Sequence, residues 1–339
     1  MNRLNRHGAI LILVLWAIGF LSVLALQMGM NIRQKMTLVQ RLEERRQLHY
    51  IANAGIQKAI VLLRQNVKVN ENATAGGKVA LGDHKQHFAH IPVGKGFAEV
   101  SYTGFDERSS EDIKKFGVVD EESKLNVNKA KPTELKILLQ YAFAMGDEAA
   151  DQLAKSIVDW RDHGDSELSG FYSGAYYGNL KDPYTIKNAD YEVLDELLLV
   201  YGISKNRYQE LLKYFTIYGS GRVDVNTASA PVLLAVGFSE ELTKKILAAR
   251  RGLDGQDGTM DDYIFQQIYD FGSELGAFVD LTREDLDQID QINFAGKIGT
   301  TSQFYSIKST GYLLNKPQKK VISCVFNVKD DKMEYYREE

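Results

Sequence analysis

Four carboxylates, Asp159, Asp162, Asp165 and Glu167, stand within nine residues in the stretch "IVDWRDHGDSELSGFYSGAYYGNLKDPYTIKN". Asp182 and Asn188 follow beyond a turn rich in glycine and tyrosine. Hard cations such as Ca2+ take six to eight oxygen ligands, and closely spaced carboxylates on an irregular loop can supply them. The spacing is not that of an EF-hand. The competing reading is a solvated acidic loop, the usual role of a charge run. Against it stands the length of the loop, whose glycines and aromatics need something to order them. A second acidic stretch, "LDGQDGTMDDY", sets Asp254, Asp257, Asp261 and Asp262 among glycines, and a calcium loop and a polar turn between helices fit it equally.

A third cluster, "DHKQHFAH", places His84, His87 and His90 beside Asp83. Zinc would need these side chains to converge. Helical spacing would align only the first two, so the stretch reads as a surface loop. No Gly-x-Ser-x-Gly elbow, phosphate-binding Gly-x-x-x-x-Gly-Lys or paired Cys and His is present. The chain reads as a non-enzymatic protein.

These residues sit in a chain of 339, 44% hydrophobic, with 5 Pro and a net charge of −4. No basic surplus is available to neutralise phosphates, which disfavours a nucleic-acid role. The single cysteine, Cys324, lies in "KKVISCVFNV" and reads as a buried strand residue. An exported domain of this size without disulfides depends on its core, its partners or metal ions.

The elements that hold the clusters follow from periodicity. Residues 9–26 are uncharged and long enough to span a bilayer, whereas a signal-peptide core is shorter and ends at a small-x-small site that is absent here. Arg3 and Arg6 would keep the first residues cytoplasmic. A helical pattern then continues without proline, so one helix is expected from about Ala9 to Arg64, roughly 80 Å long. An ordinary single-pass anchor with a helical stalk has the same composition.

Beyond the helix, "FAEVSYTGFD" and "FGVVDEESKLNVN" read as strands, and residues 130–292 as helices. Two strands around an "LNKP" turn follow. A helical block thus interrupts a strand-rich domain whose first and last parts must pair across it. "KLNVNKAKPTEL" and "RVDVNTASAPVL" are copies of one unit, and "IKNADYEVL" is a weaker third. Asn128, Asn188 and Asn226 are expected to cap the helices that follow. The units are similar to helix-hairpin-helix modules, some of which bind DNA backbone. Here, however, the hairpins carry Asp147 and Glu148, or Glu240 and Glu241, which repel phosphate. They read as packing modules.

A basic leader, Gly8 directly before the apolar run and an unbroken amphipathic continuation resemble the type IV pilins and type II secretion pseudopilins. In that family a prepilin peptidase cuts after the glycine, which would make Ala9 the first mature residue. Most members carry Glu at the fifth mature position, where this chain has Leu13. The K-type minor pseudopilins (general secretion pathway protein K family) lack that glutamate, and the interrupted strand domain, tandem hairpins and Asp-Trp-Arg-Asp segment resemble theirs. The resemblance implies an α+β fold in which a transmembrane helix and pilin-like antiparallel sheet are interrupted by an inserted all-α domain. The expected divisions are 1–8, 9–66, 67–128, 129–295 and 296–339. It also implies a structural Ca2+ in the helical domain, and I- and J-type minor pseudopilins as partners at the tip of a periplasmic pseudopilus. The protein would be held in the bacterial inner membrane by a single pass. There a tip subunit, with no neighbour above it, has no use for a glutamate, and Leu13 avoids an unpaired carboxylate in lipid. The runner-up is a membrane-anchored DNA-binding protein of an uptake system.

Overall fold

The computed structural model describes residues 6–72, 84–106, 111–162, 174–252, 255 and 262–339. Its first element is a 67-residue helix, α1 (Arg6–Asn72), uninterrupted by proline. At 1.5 Å per residue it is about 100 Å long. The apolar residues from Ile10 to Leu42 are exposed, whereas Leu48, Ile51, Ala52, Ile56, Ala59, Ile60 and Leu63 form a buried stripe. Among the described residues, α1 alone is long and apolar enough to cross a membrane.

A short helix α2 (Lys85–Phe88) leads to strands β1 (Ile91–Val93), β2 (Gly96–Val100), β3 (Tyr102–Asp106), β4 (Glu111–Lys115), β5 (Val119–Asp120) and β6 (Leu125–Asn126). Then come α3 (Pro132–Phe143), α4 (Asp147–Arg161), α5 (Gly174–Gly178), α6 (Lys205–Leu211), β7 (Phe215–Thr216), β8 (Val223–Asp224), α7 (Ala230–Val236) and α8 (Glu240–Arg250). The helical part ends with α9 (Phe271–Gly276), α10 (Arg283–Phe294) and β9 (Ile298–Gly299), and the last strands are β10 (Phe304–Leu313), β11 (Lys319–Asn327) and β12 (Lys332–Glu338).

The main sheet is antiparallel, in the order β1-β2-β10-β11-β12, with β5 also on β10. Val100 pairs with Ser309 and Gly96 with Leu313, so strands from either side of the helical block are neighbours. β12 is an addition to the two strands expected after the block. The buried stripe of α1 covers this sheet together with Ala98, Ile307, Ile322, Cys324 and Phe326. Close approach is possible because Gly311 has no Cβ: one there would lie 2.6 Å from the Leu48 carbonyl oxygen and 2.8 Å from the Ala52 nitrogen.

The helical block has its own core, running from Leu125 to Ile298 and centred on α3, α4, α7 and α8. Its two copies match in their bonds. Asn128 clamps Tyr191, donating to its carbonyl at 2.9 Å and accepting its N–H at 2.7 Å. Asn226 does the same to Phe265, at 3.0 and 2.8 Å. Arg161 at the end of α4 donates to the carbonyls of Val127 and Ala130, and Arg250 at the end of α8 to those of Val225 and Ala228. A short parallel pairing opens each copy, β6 with β7 and β8 with β9.

The asparagines are therefore not the helix caps expected from sequence. The cap of α3 falls at Lys131, where Glu134 accepts the Lys131 N–H at 2.8 Å, and the cap position of α7 is Ser229. An Asn whose amide is aligned on the N–H and C=O of one distant residue is aimed at that residue and not at the first turn of its own helix. Asn188 departs further. It adopts φ +50°, and its backbone N–H reaches the Trp160 carbonyl at 3.0 Å; no side-chain clamp of the Asn128 kind is found there among the described residues.

Candidate functional site

The acidic stretch begins in the last turn of α4. Leu153, Ala154, Ile157 and Val158 bury that helix in the core, which carries Asp159, Trp160 and Arg161 inward with it. Trp160 meets Tyr177 and Tyr184 edge-on, with ring centroids 5.7 and 6.1 Å away. Arg161 is held by the two carbonyls already named and by Asp162, its Nε lying 3.2 Å from Asp162 Oδ1. Asp159 is 8% exposed, and among the described residues its Oδ2 has no hydrogen-bond partner. Burial, followed by the nearby charge of Asp162, pushes its carboxyl above the usual range. A buried carboxylate oxygen without a donor is costly unless a proton or a cation meets it.

Of the sequence candidates, the structure brings Asp159 and Asp162 together and leaves Asp182 exposed in the bend after α5. Asp165 and Glu167 lie outside the described residues, and among those described no three His, Cys, Asp or Glu side chains are grouped to hold a metal. Asp262 is half-buried, while Asp254, Asp257 and Asp261 again lie outside the described residues. The His84 and His87 rings lie against one another at 4.6 Å, tilted by 41°, whereas His90 lies against Phe97 at 4.4 Å; Asp83 is outside the described residues. Gly8, Ala9 and Leu13 belong to the first turns of α1, where Leu13 is exposed. Asp147, Glu148, Glu240 and Glu241 occupy the first turns of α4 and α8, the helix ends that a phosphate would need.

A second group of carboxylates, which sequence reading missed, joins the sheet to the helical block. Asp120 ends β5, Asp224 ends β8, and both are buried. Ser302 Oγ lies 2.6 Å from Asp120 Oδ2 and 3.1 Å from Asp224 Oδ2, and Thr227 Oγ1 also donates to Asp120 Oδ2. A serine has one hydroxyl hydrogen, so Ser302 can serve only one of the two carboxylates. A proton on the pair completes the network. Burial, and then the charge of Asp224, pushes Asp120 up to about 8.

Beside them Glu122 accepts the Gln303 N–H at 2.5 Å, and burial raises its carboxyl too. Glu121 behaves oppositely. Burial acts to raise it, but Lys124 at 2.7 Å and the hydroxyls of Ser306 and Thr216 outweigh that and hold it below the ordinary range. The sequence signal was "VVDEES", three acids at the end of a strand, which alone does not separate a buried network from a solvated turn.

Residues 118–220, which include the first group of junction acids, the first helical copy and the acidic end of α4, match the family described as Type II secretion system (T2SS), protein K. No curated protein matches the chain. Among solved structures, the fold is similar to a chain of the GspK-GspI-GspJ complex from the type 2 secretion system of enterotoxigenic Escherichia coli. The TM-score is 0.60 at 12% identity, over 89% of this chain and 99% of that one.

Proposed function

We propose that this chain, whose residues 118–220 form a type II secretion system protein K domain, works as a minor pseudopilin: a non-enzymatic part of a periplasmic pseudopilus. The observation that carries the reading is that match, set in a fold whose first helix is apolar and uncovered over its N-terminal half. Such a helix is stable only in lipid or against other helices, and a pseudopilus offers both in turn. The solved complex to which the fold is similar contains GspI and GspJ, and I- and J-type minor pseudopilins are accordingly the proposed partners. The proposed location is the bacterial inner membrane, with the N-terminus cytoplasmic, the main domain periplasmic and Gly8–Ala9 as the bond cut by a prepilin peptidase.

Ca2+ is the proposed structural ion, with Asp159 and Asp162 as ligands and Asp165, Glu167 and Asp182 as further candidates. What supports it is the orphaned buried oxygen of Asp159 beside a second carboxylate. Bound there, the ion would neutralise the acids. The second stretch, Asp254 to Asp262, is a weaker candidate of the same kind.

The test is co-expression of the full chain with the I- and J-type subunits of its own cell, together with deletion of its gene. A co-purifying complex of the three, and loss of protein secretion on deletion, is the expected result. Loss of DNA uptake with secretion intact, and no complex, would favour the uptake reading instead.

A further inference from the structure

The outer edge of the helical block, formed by α9, the turn before it and α10, carries aromatic side chains that neither the core nor the acidic loop uses. Phe294 is 97% exposed and Tyr269 88%. They stand at one edge, because Asn293 Nδ2 donates to the Ile268 carbonyl at 3.3 Å and so ties their two neighbours together. On α10, Asp285, Ile289 and Ile292 face inward, with Asp285 bonded to Lys245 at 2.7 Å. Leu286, Asp290 and Phe294 fall at i, i+4 and i+8 on the opposite side and are all exposed. Leu286 extends the apolar edge across Gly272 of α9, where a Cβ would lie 3.4 Å from Leu286 Cδ2.

The edge is also strongly acidic. Between Ile268 and Gly296 the sequence has seven carboxylates and one base, Arg283, in a chain whose net charge is only −4. Asp285 is answered by Lys245, and Glu274 by the Tyr263 hydroxyl and the Gln266 N–H. Asp270, Glu284, Asp287 and Asp290 remain exposed around the aromatics.

That charge selects the occupant. Phosphate-bearing surfaces, whether lipid headgroups or nucleic acid, are repelled. A two-fold pairing of this edge with a second copy would set acids against acids. A protein surface with lysine or arginine around an apolar centre meets both features. Aromatic anchors ringed by charge are the composition of interface hot spots, and complementary charge speeds the encounter. We propose that the α9–α10 edge docks a basic, apolar-centred segment of a partner protein. The proposal stands on this face alone and does not require the secretion reading.

The test places the photo-crosslinking residue p-benzoylphenylalanine at position 294, and separately at 269, of the full chain in its own cells, and sequences the crosslinked peptides. Both positions are expected to capture the same partner segment, with net positive charge and an apolar residue at the adduct. Replacing Asp287→Lys and Asp290→Lys together, at exposed sites, should lower the yield at least tenfold. In isolated membranes, raising the salt over the unaltered charges should lower it similarly. No adduct, adducts to lipid or to a second copy, adducts to segments without net positive charge, or a yield indifferent to salt would each overturn the proposal.

Discussion

At the scale of single residues, the most informative side chains are those whose needs the fold leaves unmet. Asp159 is buried beside Asp162 with an oxygen to which none of the described residues donates, and its carboxyl is held above the ordinary range by that burial. Its raised pKa means that, without a cation, the folded state holds this proton more tightly than the unfolded chain does. Stability then falls as pH rises through the carboxylate range. Asp159→Asn should therefore stabilise metal-free protein near neutral pH. It should also remove the rise in melting temperature that Ca2+ gives, an effect of about 2.7 kcal/mol at a hundredfold excess over Kd. A melting curve of the wild type that is the same with calcium and with chelator would exclude the cation. Gly311 is the converse case, a position that needs nothing added. A methyl there meets the backbone of Leu48 and Ala52, which cannot swing aside. Gly311→Ala should accordingly cost about 1–3 kcal/mol of stability in denaturant titrations, the range of overpacked cores.

At the scale of elements, the junction of β5, β8 and the segment after β9 buries two carboxylates, Asp120 and Asp224, that share Ser302. Asp120, raised from 3.8 to about 8 by burial and then by Asp224, keeps a proton in the folded state that the unfolded chain releases. Its contribution to stability is complete below about pH 4 and is lost as pH rises through 8. Glu122, raised by burial, slopes the same way. Glu121, lowered by Lys124 and two hydroxyls, loses its contribution only at acid pH. The melting temperature should thus fall as pH rises from about 4 to about 8 and level off above that. Asp120→Asn, whose amide carries a permanent proton toward Asp224, should flatten that fall, and parallel curves for the two proteins would refute the shared proton. The arginines that close each helical copy give a second element-scale expectation. Arg161 is buried and Arg250 half-buried, so Arg161→Ala should destabilise by about 2–4 kcal/mol and Arg250→Ala by less, as measured by urea unfolding. The repeat that these arginines complete was legible in the sequence as "NVNKA" and "DVNTA". The pairing of strands across the insertion was legible as well, because period and turn signals are local. What the asparagines do was not legible, since Tyr191 and Phe265 lie 63 and 39 residues away and no local pattern announces them. The junction network was hidden for the same reason. Its members, Asp120, Asp224, Thr227 and Ser302, are brought together only by the tertiary fold.

At the scale of the whole molecule, the chain is an asymmetric object: a helix of about 100 Å, uncovered at one end and packed under a sheet at the other, with a helical block inserted into the sheet domain. If the chain works as the proposed pseudopilin, the uncovered end would enter lipid before a filament, and the residues ahead of the apolar run would direct it. On the proposed reading, Arg3 and Arg6, which precede the apolar run, would hold the N-terminus on the cytoplasmic side, and Gly8 is the residue after which a prepilin peptidase would cut. Removing eight residues would discard both arginines and leave Ala9, with a free amine, as the start of a helix whose fifth residue is Leu13. A pilin subunit with glutamate at that place can pair it with the amine of the subunit above. Leucine offers no such pair, so this chain could begin a filament without leaving a carboxylate unpaired in the bilayer. Co-expression with a prepilin peptidase should therefore shorten the protein by eight residues, read by intact mass and by N-terminal sequencing from Ala9. Gly8→Val should block the cut, because a branched side chain fills the space that the peptidase needs at a bare backbone. The uncut protein should remain in the membrane fraction, since α1 keeps its apolar run. Mature protein beginning near Met28 or later would instead mark an ordinary signal peptide, and would remove the helix on which the pseudopilin reading depends.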